Sequence, residues 1–121
     1  MLSVHTTTIG PIAILSLEGS ITIGETAPLC SAFAAQSQAD VIILDLANAS
    51  MIDAYGLGVM LELRAWARAK RKGFKLMNVK SAVAHVLEIT HLDIVFEVVS
   101  QREVLTRSSQ LDDEPTLELV S

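Results

Sequence analysis

The chain has 121 residues, half of them hydrophobic, with a formal net charge of −5, one cysteine and a mean hydropathy of +0.45. That length suits one domain, because two cores of about 60 residues each would bury too little apolar surface for comfortable stability. Cys30 alone excludes an internal disulfide, no apolar run approaches the roughly 20 residues that span a bilayer, and no basic-then-apolar leader opens the chain, so the expected setting is the cytoplasm without membrane insertion.

Residues 2–8 mix β-branched and polar side chains and read as a strand at a sheet edge. Gly10-Pro11 signals a turn, and residues 11–17, carrying Ile12, Ile14 and Leu15, return as the second strand of a hairpin that Gly19 ends. Residues 21–24 are expected to form a loop that exposes Ile21 and Ile23. Glu25 or Thr26 then caps a helix whose first turn accepts Pro28, since its missing N–H has no intrahelical partner there. Leu29, Ala32 and Phe33 share one face of that helix, which ends near Gln38 and holds Cys30 as a small packing residue. The run Val41-Ile42-Ile43-Leu44 is what a strand covered on both faces requires. Residues 45–53 leave it as a loop, with Ser50 a turn residue.

Residues 56–72 form the strongest helix, and Gly73 is expected to stop it in a left-handed conformation. On a 100° wheel Val59, Met60, Leu63, Trp66 and Ala67 point inward, while Arg64, Arg68, Arg71 and Lys72 face water. Leu57 and Leu61 fall inside the charged arc. They are either stray surface leucines, which are common, or a patch for a protein partner. A strand over 74–78, a helix over 82–90 capped by Ser81, a strand over 95–99 and a last helix over 102–107 complete the domain. The chain then turns polar and acidic, so the expected organisation is a domain over 1–107 and a flexible tail over 108–121. The order β-β-α-β-α-β-α-β-α implies an α/β fold: a mixed sheet with right-handed parallel crossovers, flanked by about four helices.

No Lys or Arg precedes Arg64, and six then arrive between Arg64 and Lys75. A solvated helix end that complements the negative C-terminal dipole explains them. Few aromatic residues and an acidic balance elsewhere argue against a nucleic-acid partner. Enzyme chemistry finds little footing. His5, His85 and His91 lack metal-ligand spacing, Cys30 has no cationic neighbour to activate it, and no phosphate-loop or dinucleotide motif occurs, so neither catalytic residues nor a cofactor are expected. Asp45 reads as an acidic strand end. Asp53 reads as a helix cap, and Gly56 and Gly58 would let another backbone approach the opening of the helix. Such a helix start also suits an anion, including a phosphoryl group on an adjacent side chain.

The stretch Ile52-Asp53-Ala54-Tyr55-Gly56-Leu57-Gly58-Val59 resembles the Asp-Ser-Ser-Gly-Leu-Gly signature of the anti-sigma factor antagonists, a branch of the STAS-domain family. Leu17-Glu18-Gly19, Val41 to Leu46, Gly73-Phe74-Lys75-Leu76, Val86 to Thr90 and Val95-Phe96-Glu97-Val98 extend the resemblance. It implies the STAS fold and a protein that binds an anti-sigma factor, itself a serine kinase, and so releases the sigma factor. It also implies a phosphoswitch at the second serine of the motif. Here Ala54 and Tyr55 replace the two serines, and Thr22 stands where many members carry an acidic residue. Asp53, Ala54, Tyr55 and Gly56 therefore form a degenerate phosphoacceptor motif. The expected partner surface comprises Ile21, Thr22, Ile23, Leu57, Leu61 and Arg64. Two alternative roles are an accessory subunit of a lipid-transport ATPase and a scaffold component of a larger STAS assembly.

Overall fold

The computed structural model describes residues 1–106, so the expected tail at 108–121 lies outside the described residues. Gly10, at a φ of 56°, turns strand β1 (Ser3–Ile9) into antiparallel register with β2 (Ile12–Ile21), pairing Thr6 with Leu15 and Ile9 with Ile12. From there every connection is a crossover. Helix α1 (Ala27–Ala34) leads to β3 (Val41–Ile52), α2 (Ala54–Ala69) to β4 (Gly73–Met77), and α3 (Ser81–Ile89) to β5 (Glu97–Val99), all paired in parallel. Residues 101–106 form a further short helix. The sheet order is β1-β2-β3-β4-β5. Crossovers of one hand that always step in the same direction put their helices on the same face, and the packing agrees.

One face of the sheet contributes Leu15, Leu17, Ile42, Leu44, Leu46 and Leu76 to a core closed by Leu29 and Phe33 of α1, Met60, Leu63 and Ala67 of α2, and Val83 and Leu87 of α3. The opposite face carries Ile12, Ile14, Ile43, Met77 and Val99, against which Val104 of the last helix is buried. The strand at Val41 is thus covered on both faces, as its continuous apolar run requires. Lys72 ties the helical layer down: its ammonium donates to the carbonyls of Ser37 (3.0 Å), Gln36 (3.3 Å) and Ala39, just past the end of α1.

Several expected boundaries move. Residues 45–52 are not a loop, because β3 continues through them beside an equally extended β2, with Glu18 opposite Asn48 and Ile21 opposite Ile52 across two register shifts. Ala47, Asn48 and Ser50 have weak strand preference, and pairing overrides it. Ser50 is accordingly a strand residue whose hydroxyl lies 3.3 Å from that of Ser20. Asp45 sits inside β3, accepting from Ser16 Oγ (3.3 Å), the Ala47 N–H (3.1 Å) and Asn78 Nδ2 (3.0 Å), which joins β2, β3 and the end of β4.

Helix ends shift as well. The left-handed residue after α2 is Arg71 (φ 59°), whereas Gly73 already belongs to β4 and lies against Val41. Lys80, not Ser81, is the cap of α3, and Thr26 caps α1 without a side-chain hydrogen bond. Cys30 is exposed rather than packed, and local desolvation and the carboxylate of Glu62 push its thiol pKa up.

Candidate functional site

The paired extensions of β2 and β3 carry two connections beyond the sheet: the loop after Ile21 and the start of α2. Asp53 joins them. Its backbone is extended (φ −110°, ψ −177°), the geometry of a helix cap, and its Oδ1 accepts the Gly56 N–H at 2.8 Å. The second oxygen, Oδ2, accepts the N–H of Ile23 across the gap at 3.0 Å. The Asp53 N–H in turn donates to the carbonyl of Ile21 at 3.3 Å, and its own carbonyl accepts from Leu57 at 2.9 Å. One residue thus fixes the loop, the end of β3 and the first turn of α2. The Gly56 and Ile23 bonds favour the ionised carboxyl, in that order, and hold its pKa below the ordinary value.

Exposed apolar side chains stand beside this clasp. Ile23 is 70% exposed, Met51 53% and Tyr55 50%. Met51 is the exposed residue before buried Ile52 at the end of β3, and Ile23 stands in the turn that follows buried Ile21. Met51 is absent from the expected partner surface, and no alternation announces it, because its neighbour Ser50 is exposed as well.

The expected partner surface is only partly assembled. Ile23 is exposed at the clasp and Thr22 is half-buried beside it. Ile21 is fully buried, because the loop starts one residue later than expected and Ile21 still belongs to β2. Leu57 is buried at 6% exposure, while Leu61 is half-buried and packed against the main core. Arg64 is half-buried and has no ion pair among the described residues. The helix is rolled toward Leu57 relative to expectation, so Met60, Leu63 and Ala67 are core as anticipated, whereas Trp66 is 52% exposed. Leu57 and Leu61 are therefore structural in their packing, and the aromatic residue at the surface of α2 is Trp66.

Of the degenerate motif, Ala54 and Tyr55 are exposed in the first turn of α2, and Gly56 is buried beneath them. Gly56 meets another backbone as expected: a Cβ there would fall on the Ile21 carbonyl. Gly58 has open space around it and meets none. Asp45 and Asp53 cannot share a reaction: the stretch Asp45 to Ile52 runs beside Ser16 to Ile21 of β2, which puts the two carboxylates on the order of 20 Å apart along the strand. No group of three His, Cys, Asp or Glu side chains that could hold a metal ion occurs among the described residues. No helix among them is long and apolar enough to cross a membrane.

Comparison with solved structures shows the same architecture elsewhere. A protein from Thermotoga maritima assigned as an anti-sigma factor antagonist superimposes with a TM-score of 0.73 at 20% identity, over 88% of this chain and 94% of that one. A sulfate transporter family protein from Wolinella succinogenes gives 0.72 at 15% identity, over 88% and 92% of the two chains. A match to Mglu reaches 0.56 at 20% identity over 60% of this chain, but spans only 18% of that larger protein. At such identities the likeness is one of fold. The family profile described as STAS domain matches residues 3–104, which is nearly all of the described chain, and the chain belongs to the STAS-domain family.

Proposed function

We propose that this chain is a protein-binding regulator of the anti-sigma factor antagonist type, which sequesters an anti-sigma factor of the serine-kinase class and so influences transcription, without catalysis and without the serine phosphoswitch. The observation that carries this reading is the Asp53 clasp. A single carboxylate holds the loop at Ile23 and the start of α2 in fixed register, and three exposed apolar side chains, Ile23, Met51 and Tyr55, surround it. Large apolar and aromatic residues on a rigid support are what a docking partner can desolvate with little ordering cost. Thr22 and the neighbouring Ala54 complete the patch, and Arg64 lies further along α2.

The switch is absent for a chemical reason. Ala54 has no hydroxyl, and that of Tyr55 sits at the far end of an aromatic ring, several ångströms from where a serine hydroxyl would lie. A kinase site built for serine tolerates little misplacement, since even ~1 Å can be costly. The protein is then a binding-competent antagonist at all times. Affinity capture with the full chain from its native cell extract, followed by binding of the purified kinase-type anti-sigma factor, tests the proposal. Ile23→Asp should weaken that complex at least tenfold, about 1.4 kcal/mol, with the unfolding midpoint unchanged. Recovery of a transport ATPase, or of other STAS chains alone, in place of an anti-sigma factor would favour the alternative roles.

A further inference from the structure

The two edges of the sheet are unlike. β5 is three residues long and includes Glu97, whose carboxylate is paired with Lys75 at 2.6 Å. Short, charged edges of this kind resist pairing with another chain. β1 is seven residues long, pairs among the described residues only with β2, and reads Ser-Val-His-Thr-Thr-Thr-Ile. It contains no proline, no Lys, Arg, Asp or Glu, and its register with β2 runs unbroken from Ser3 to Ile9 without a bulge. Ser3, His5, Thr6, Thr7 and Thr8 are all exposed. Among the described residues, no proline, bulge or charged side chain protects this edge.

The helix beside that edge is equally bare of charge. α1 packs on β1 and β2, and its exposed residues include Ala27, Pro28, Ser31 and Ala34, with no ionisable carboxylate, Lys or Arg in the element. In a chain of net charge −5, this flank is where two copies can meet without like-charge repulsion.

We infer that β1 is the self-association surface of this protein, pairing antiparallel with β1 of a second copy about a two-fold axis at Thr6. The occupant follows from the chemistry of the edge. Unpaired strand N–H and C=O groups are satisfied by another extended strand, and an antiparallel two-fold uses the same patch on both copies. Full overlap sets Thr6 against the partner's Thr6, His5 against the partner's Thr7, and Val4 against the partner's Thr8, pairs rich in β-branched side chains that bring no carboxylate, Lys or Arg together. The two α1 helices would then lie about two strand spacings apart, roughly 10 Å, an ordinary helix-packing distance that small residues accommodate. The result is one ten-stranded sheet with the two Asp53 clasps open at its opposite ends.

Sedimentation analysis of the full-length chain tests this. The wild type should show a reversible monomer–dimer equilibrium. Thr6→Lys sets two ammonium groups face to face and should raise the dimer dissociation constant at least tenfold, and Thr6→Glu should do the same with two carboxylates. An equimolar mixture of the two variants should recover the dimer, because unlike charges then meet at the axis. Independently of any variant, the outward-facing amides of β1 in the wild type should exchange more slowly with deuterium as protein concentration rises. A monomeric wild type at all concentrations, a mixture no more dimeric than its components, or β1 exchange that ignores concentration would each overturn the inference.

Discussion

Gly56, in the first turn of α2, lies directly against the end of β2: a Cβ built on it would come within 1.9 Å of the carbonyl oxygen of Ile21. That carbonyl also accepts the Asp53 N–H, so the helix start, the clasp and the strand end share one crowded point. Gly56→Ala cannot be accommodated by rotating a side chain, because the obstacle is backbone. It should destabilise the fold by roughly 1–3 kcal/mol or more, as overpacking does. At Gly58, two residues on, an added Cβ would meet nothing within 4 Å. Gly58→Ala should therefore be neutral or stabilise by up to about 1 kcal/mol through helix propensity. Equal effects of the two substitutions in denaturant unfolding would refute this account.

The roll of α2 separates Leu63 from Trp66. Leu63 is 3% exposed and should cost about 2–5 kcal/mol on truncation to Ala. Trp66→Ala, despite removing the larger side chain, should stay within about 0.5 kcal/mol of the wild type, as a surface substitution does. Urea midpoints with an unchanged m-value measure both, and a Trp66 cost matching that of Leu63 would contradict the roll.

Asp53 makes a pH signature. Its carboxyl pKa is lowered in the folded state, first by the Gly56 N–H and then by the Ile23 N–H. A depressed folded pKa contributes stability that is fully present above the unfolded value of about 3.9 and is lost as pH falls through the folded value. Stability measured downward from pH 6 should therefore fall less steeply in Asp53→Asn than in the wild type below about pH 4. Protection of the Ile23 and Gly56 amides, taken relative to their intrinsic exchange rates at each pH, should fall over the same interval in the wild type. Superimposable acid limbs for the two proteins would dissociate the carboxylate from the clasp.

Restoring the motif tests the missing switch. With a cognate anti-sigma kinase and ATP, the wild type should take no phosphate at Ser50, Ala54 or Tyr55. Ser50 is held in β3 beside Ser20 rather than on the exposed first turn of α2. Ala54→Ser combined with Tyr55→Ser should be phosphorylated and should lose partner affinity, since a phosphoserine brings close to two negative charges onto the docking patch. Mass spectrometry showing efficient wild-type modification at Ser50 or Tyr55, with release of the partner, would reverse this conclusion.

Much of the molecule is legible in the sequence. The run at Val41, the helical period from Met60 to Ala67 and the turn at Gly10 carry local signals that survive folding, because each is set by its own backbone preference and apolar spacing. Asp53 as a helix cap is readable for the same reason: the bond to Gly56 spans three residues. The second bond of that carboxylate, to Ile23, spans thirty, and no local pattern announces it. Tertiary pairing also decided that residues 45–52 extend as strand despite weak propensity. It turned Ile21 and Leu57 inward and Trp66 outward, because a helix is rolled by what the sheet presents to it rather than by its own charge arc. The one close approach that fixes this roll, Gly56 on the Ile21 carbonyl, exists only once β2 and β3 have been brought side by side.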